Sequence, residues 1–249
     1  MTTGSEAPSG AGPRRRVVSL VPSSTETLLA LGADVVACTR FCEQPDLAHV
    51  GGTKNPDVGA IVALAPDVVV LDREENRVED HDELVAAGLE VVVSDVTDVD
   101  AALDVIGLLA DAAGVAAPAR PDPPPAPADP AARRTAFVPI WRRPWMTVSA
   151  GTYGASLLDR LGVDVVATAG AAPGPAAAYP EVTLDELAPT PPDLVLVPSE
   201  PYEFRDAHLD ELRAALPGAD VRRVDGRDLF WWGSRTPGAL ERLARSLGR

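Results

Sequence analysis

Residues 15–37 read RRVVSLVPSSTETLLALGADVVA, and the same plan returns at residues 133–141, RRTAFVPIW, and 154–167, GASLLDRLGVDVVA. Each copy has two arginines, a short apolar strand running up to a proline, an amphipathic helix, and then a second strand. Gly32 and Gly162 close the two helices, where a left-handed residue is favoured, and Ser23/Ser24 are expected to cap the first. A second pair of segments matches as well. Residues 61–71, IVALAPDVVVL, resemble residues 187–198, LAPTPPDLVLVP. In each, an aspartate (Asp67, Asp193) follows a proline and opens a strand. A helix carrying Asp82-Glu83-Leu84 or Asp210-Glu211-Leu212 comes next, and then the strands Leu89–Ser94 and Ala219–Val224.

Helix-then-strand units repeated twice argue for an α/β protein: two Rossmann-like lobes with mainly parallel sheets and a ligand cleft between the lobes. The runs Val68–Leu71 and Leu194–Val197 are unbroken rather than alternating, as in strands covered on both faces. Between the copies, Val99, Leu103, Ile106, Leu109 and Ala110 recur at helical spacing and predict a bridging helix. Residues 116–132, AAPARPDPPPAPADPAA, hold too many prolines for helix or sheet and are expected to form an exposed linker. The expected organisation is a disordered tail over 1–13, an N-terminal lobe over 14–97, a bridging helix and linker over 98–132, and a C-terminal lobe over 133–249.

Composition removes several classes of function. The formal net charge of −15 argues against a nucleic-acid backbone or an anionic membrane as partner. No stretch reaches the roughly 18 consecutive apolar residues that a membrane-spanning helix needs, so no membrane insertion is expected. The opening MTTGSEAPSGAGPRRR lacks the apolar segment of a secretion signal, which places the chain in the cytoplasm, with Cys38 and Cys42 reduced. There is no Gly-x-Ser-x-Gly elbow, phosphate loop or dinucleotide fingerprint, so the leading expectation is a binder and not an enzyme.

In open parallel sheets, ligands bind beyond the carboxyl ends of the strands. The segments expected there hold Ser23, Ser24, Phe41, Lys54, Asn55, Glu74, Glu75 and Asn76 in the first lobe. In the second they hold Trp141, Trp145, Glu200, Tyr202, Trp231, Trp232 and Arg235. Aromatics make up only 4% of the chain, yet all four tryptophans, Phe41 and Tyr202 fall in these segments. Such flat rings suit a macrocycle or an organic chelate. Cys42, Glu75 and His208 are candidate metal donors by residue type, although no short-range ligand spacing supports them.

The run Val17-Val18-Ser19-Leu20-Val21-Pro22-Ser23-Ser24-Thr25-Glu26 resembles a known family. So do Gly51-Gly52-Thr53-Lys54-Asn55-Pro56, Pro66-Asp67-Val68-Val69-Val70, Tyr179-Pro180-Glu181-Val182 and Pro192-Asp193-Leu194-Val195. The family is that of the helical backbone metal receptors: cobalamin- and iron-siderophore-type, class III periplasmic-binding-protein-like substrate-binding proteins. The resemblance covers about 15–110 and 135–249, and this chain looks like a branch without an export signal. It implies two lobes joined by a long helix, and a ligand drawn from cobalamin, haem, ferric chelates and metal ions. The family's helix should span 98–133, but the prolines at 121–130 exclude its second half. Permease-docking glutamates align with Gly59 and Asp185, a departure that argues against delivery to a transporter. The expectation is therefore a soluble binder of a metal complex or of a corrinoid- or siderophore-like small molecule. The alternatives are the substrate-binding component of a cobalamin/iron-type ABC importer, and a cytoplasmic enzyme or metal-handling chaperone on the same fold.

Overall fold

The computed structural model describes residues 14–125, 129–166 and 178–248, so the expected 1–13 tail lies outside the described residues. The chain divides into two compact units, Met1–Asp95 with Leu103–Arg120, and Val96–Ala102 with Pro121–Arg249.

The first unit begins with β1 (Arg16–Ser19), α1 (Pro22–Ala30) and β2 (Asp34–Cys38), followed by the two-residue strands β3 (Ala48–His49), β4 (Gly51–Gly52) and β5 (Asn55–Pro56). It continues through α2 (Val58–Ala63), β6 (Val68–Asp72), α3 (Val78–Ala86), β7 (Val91–Ser94) and most of α4 (Val99–Ala113). Its main sheet runs β3-β2-β1-β6-β7, parallel throughout. All five residues of β6 are buried, as the unbroken apolar run requires. Ile61 of α2 and Leu84 of α3 pack against Val69 and Leu71 in the core of this unit.

The second unit contains β8 (Arg134–Phe137), β9 (Pro139–Trp141), β10 (Trp145–Thr147), α5 (Tyr153–Arg160) and β11 (Val163–Val165). After these come β12 (Glu181–Val182), α6 (Leu184–Leu187), β13 (Leu194–Pro198), α7 (Asp206–Ala215) and β14 (Asp220–Val224). Two helices, α8 (Gly226–Phe230) and α9 (Thr236–Ser246), complete it. Its main sheet, β11-β8-β13-β14, is again parallel. This order repeats β2-β1-β6-β7 strand for strand, so the duplication read in the sequence is a duplication of topology. A smaller antiparallel sheet, β12-β10-β9, has no forerunner in the sequence reading.

The repeat extends to single hydrogen bonds. Arg16 N donates to Asp67 Oδ2 at 2.7 Å, and Thr135 N donates to Asp193 Oδ2 at 2.7 Å. In each unit, the aspartate just before the third core strand thus ties down the start of the first. The Thr135 backbone N–H, helped by its hydroxyl, holds the Asp193 carboxyl below its ordinary range. Gly32 and Gly162 adopt φ values of 72° and 67° just past α1 and α5, which confirms both as left-handed helix stops.

Three expectations require correction. Ser23 and Ser24 do not cap α1. Val21 is the cap residue, Pro22 occupies the first turn, and the serines lie inside the helix. Proline suits that position because the N–H it lacks would have no intrahelical partner. The segment holding Trp231, Trp232 and Arg235 does not follow its strand directly as expected. Helix α8 follows β14 directly, capped by Asp225, which accepts a hydrogen bond from Arg227 N. Within the segment expected to be an irregular linker, Pro130–Ala132 form a short 3-10 helix. Helix α4 stops at Ala113, Gly114 takes φ 65°, and residues 115–125 have no regular structure.

The equivalence of the two aspartate ties has a direct test. Asp67→Ala and Asp193→Ala should each lower unfolding free energy by about 1–2 kcal/mol, as measured by urea denaturation. A loss confined to one of them would show that the ties are not equivalent.

Candidate functional site

At the carboxyl edge of the first sheet, the loops are held by a buried polar layer. Asp72, the last residue of β6, is 3% exposed, and burial pushes its carboxyl up against the opposing hydrogen bond from Ser94 Oγ at 2.8 Å. Its Oδ1 accepts from the backbone N–H groups of Glu74 and Glu75, while its own N–H donates to Asn76 Oδ1 at 2.8 Å. Asn76 in turn donates to the carbonyl of Thr53 at 2.9 Å and to that of Leu20 at 3.5 Å. The loops after β1, β4 and β6 are therefore fixed through one aspartate and one asparagine.

Above that layer the candidates divide. Lys54, Asn55, Glu74 and Glu75 are exposed, with Lys54 Nζ donating to the Glu74 carbonyl at 2.6 Å. Phe41 is 51% exposed, and the Arg40 guanidinium lies 4.7 Å from its ring centroid. Ser23, Ser24 and Asn76 are buried and serve the scaffold, which corrects their expected place on the ligand surface. The Ser24 hydroxyl has no hydrogen-bond partner.

The second unit assembles an aromatic ledge. Strands β9 and β10 form a hairpin whose turn carries Arg142, Arg143 and Pro144. Trp141 is 46% exposed and meets Tyr202 edge-on at 5.2 Å. Behind them, Phe204 lies 4.7 Å from Tyr202 and stacks on Trp145 at 6.0 Å, and Trp145 meets the buried Phe137 at 6.4 Å. Arg142 lies 5.6 Å from the Trp145 ring and pairs with Glu211 of α7 at 2.7 Å. The ledge is thus one exposed indole and one half-buried phenol, backed by rings of the core.

The remaining candidates act otherwise. Trp232 is buried at 5% exposure, so it is not a wall residue. Trp231 lies beside Arg235 at 5.8 Å, and Arg235 contacts Asp228 at 3.2 Å. Glu200 packs against Gly226, where an added Cβ would come within 2.7 Å of the Glu200 backbone nitrogen. Gly59 and Asp185 are exposed on α2 and α6. No expected residue lines the hollow of about 370 Å³ in the second unit, which lies among Thr97, Asp98, Ala150, Gly151, Ser156 and Asp159.

The metal trio is overturned. Cys42 is buried, with its sulfur 3.2 Å from the hydroxyls of both Thr25 and Thr39. His208 Nδ1 accepts from the backbone N–H of Arg205 at 3.1 Å, and its ring packs on Tyr202 and Phe204. Among the described residues, no group of three or more His, Cys, Asp or Glu side chains could hold a metal ion. The same residues include no helix long and apolar enough to cross a membrane.

Sequence reasoning missed Phe204 and the hairpin. The spacing Ile140-Trp141-(Arg142-Arg143-Pro144)-Trp145-Met146, with apolar pairs flanking a proline turn, was an available hairpin signal.

This architecture is the class III periplasmic-binding-protein-like fold, and residues 17–120 match the family model described as periplasmic binding protein. The vitamin B12-binding proteins of Yersinia pestis (strain Pestoides F) and Yersinia pseudotuberculosis (serotype O:1b) are each 36% identical over 91 residues. That match takes in 34% of this chain and 32% of each relative, so the aligned stretch spans about a third of their length. Among solved structures, the periplasmic vitamin B12 binding protein of Vibrio cholerae superposes with a TM-score of 0.75 at 19% identity, covering 95% of this chain and 97% of that one. A periplasmic heme binding protein from Pseudomonas aeruginosa gives 0.72 at 21% identity, over 94% and 92%.

Asp228 anchors the Trp231–Arg235 region. Burial alone would raise its carboxyl, but Arg242 at 2.6 Å and then Arg235 outweigh it and hold it below the ordinary range. A carboxyl depressed in the folded state adds stability that is present above its unfolded pKa and is lost as pH falls through the folded value. Asp228→Asn should therefore cost about 1–2 kcal/mol at neutral pH, because it removes the carboxylate that accepts from both Arg242 and Arg235. The gap to the wild type should close below about pH 4, measured by denaturant unfolding across pH.

Proposed function

We propose that the chain is a substrate-binding protein for a corrinoid ring ligand, taken on the aromatic ledge of the second unit. One observation carries the reading. Trp141 presents an exposed indole, braced by Tyr202, on a scaffold otherwise poor in aromatic residues. Exposed rings of this size on a rigid backing supply large apolar contact area at little entropic cost.

Electrostatics favours a corrinoid over more anionic chelates. The chain carries a net charge of −15, which repels ligands bearing several carboxylates. Arg142, the cation at the back of the ledge, is already paired with Glu211. An amide-fringed ring avoids both penalties. The sequence match to vitamin B12-binding proteins supports the same choice.

The test is tryptophan fluorescence titration with cyanocobalamin and, separately, haemin. Saturable quenching by cyanocobalamin is expected. Trp141→Ala should weaken binding about 10- to 30-fold, the scale of a central aromatic contact. Leu108→Ala, an exposed apolar control on α4, should leave it unchanged. Saturation by neither ligand, or an unchanged affinity in Trp141→Ala, would sink the reading.

A further inference from the structure

The hollow of about 370 Å³ in the second unit shares none of its lining with the aromatic ledge. One of its walls is a strand edge. β11 is the terminal strand of the sheet β11-β8-β13-β14 and pairs with β8 alone. Arg134 N donates to the Gly162 carbonyl at 3.0 Å, and Val166 N donates to the Ala136 carbonyl at 2.8 Å. Backbone groups alternate in direction along a strand, so Gly162, Asp164 and Val166 address β8. Val163 and Val165 therefore turn their N–H and C=O groups the other way, and both valines line the hollow. A row of such groups is a template for one more strand.

The rest of the lining sets what that strand can carry. Three carboxylates take part, Asp98, Asp159 and Asp164, and a single guanidinium answers them. Arg133 pairs with Asp159 at 2.6 Å and with Asp164 at 2.5 Å. Asp98 accepts the backbone N–H of Ala101 at 2.8 Å and forms no ion pair among the described residues. The hollow thus keeps an excess of negative charge beside open backbone donors and acceptors. At Gly151 there is room as well, since an added Cβ would meet no heavy atom within 4 Å.

We propose that this hollow is a docking groove for an extended basic peptide, which adds to β11 as a further strand and sets a lysine or arginine against Asp98. Pairing with Val163 and Val165 supplies affinity without regard to the guest's sequence, and the carboxylates select its charge. An acidic guest meets repulsion, and a guest without backbone N–H groups leaves the strand edge unpaired. The groove is independent of the ring ligand proposed for the ledge, because the two surfaces have no residue in common.

The experiment titrates the full chain into fluorescein-labelled Val-Lys-Val-Lys-Val-amide and follows anisotropy. Saturable binding is expected. The peptide with glutamate in place of lysine should bind at least about tenfold more weakly. So should the lysine peptide N-methylated along its backbone, which has lost its donors. Asp98→Asn should weaken binding about two- to fivefold, the scale of one exposed ion pair. Gly151→Leu, whose side chain enters the hollow, should abolish it, while Trp141→Ala should bind as the wild type does. Absence of saturation would overturn the proposal, as would equal affinity for the glutamate or the methylated peptide. Displacement of the peptide by equimolar putrescine would do the same, since it marks a site for any small cation. So would unchanged affinity in Asp98→Asn or Gly151→Leu, or loss of binding in Trp141→Ala. If Gly151→Leu fails to fold by circular dichroism, the methylated peptide on the wild-type chain decides the matter.

Discussion

Full burial of the two middle strands, Val68–Asp72 and Leu194–Pro198, is the constraint on which the rest of the structure depends. A strand buried along its whole length must pair on both edges and be covered on both faces. Each of these strands is therefore flanked by a parallel neighbour on either side, and each is preceded by an aspartate that secures the adjacent strand. The first ends in a carboxylate, Asp72, and a carboxylate at the end of a buried strand must find donors. It finds them in Ser94 and in the backbone of the loop that follows. The polar framework of the first unit's carboxyl edge thus follows from one charged residue at the close of an apolar run.

The corresponding edge of the second unit solves the same problem with a different chemistry. There the buried strand ends in Pro198, with no charge to satisfy. The space beyond it is filled by rings from the β9–β10 hairpin and from the segment leading into α7. One topology therefore carries two contrasting surfaces, a polar one organised by Asp72 and Asn76 and an aromatic one built on Phe137, Trp145 and Phe204.

Much of the fold was legible because it is written twice. The apolar runs, the prolines before Asp67 and Asp193, and the glycines at 32 and 162 each point to the same local structure in both halves, and each is found there. The site was less legible. That tryptophans cluster near the ends of strands is visible in the sequence, but which of them face solvent depends on packing that no local pattern encodes. Trp141 is exposed because Tyr202 and Phe204 lie behind it. Trp232 is buried although its neighbour Trp231 is only half-buried. Ser23 and Ser24 look like cap residues, yet Pro22 claims the first helical position and draws them inside. The metal candidates failed for a related reason: residue type showed donor capacity, but among the described residues no three such side chains come together.

The edge contact between Trp141 and Tyr202 has a thermodynamic consequence. A long or flat side chain left loose on a surface gives up about 0.5–1.5 kcal/mol of torsional entropy when something lands on it. The indole at 141 gives up part of that freedom during folding, because the phenol lies against its edge at 5.2 Å. A planar guest landing there would meet a ring whose pose is already restricted, and the entropy lost on docking would be smaller.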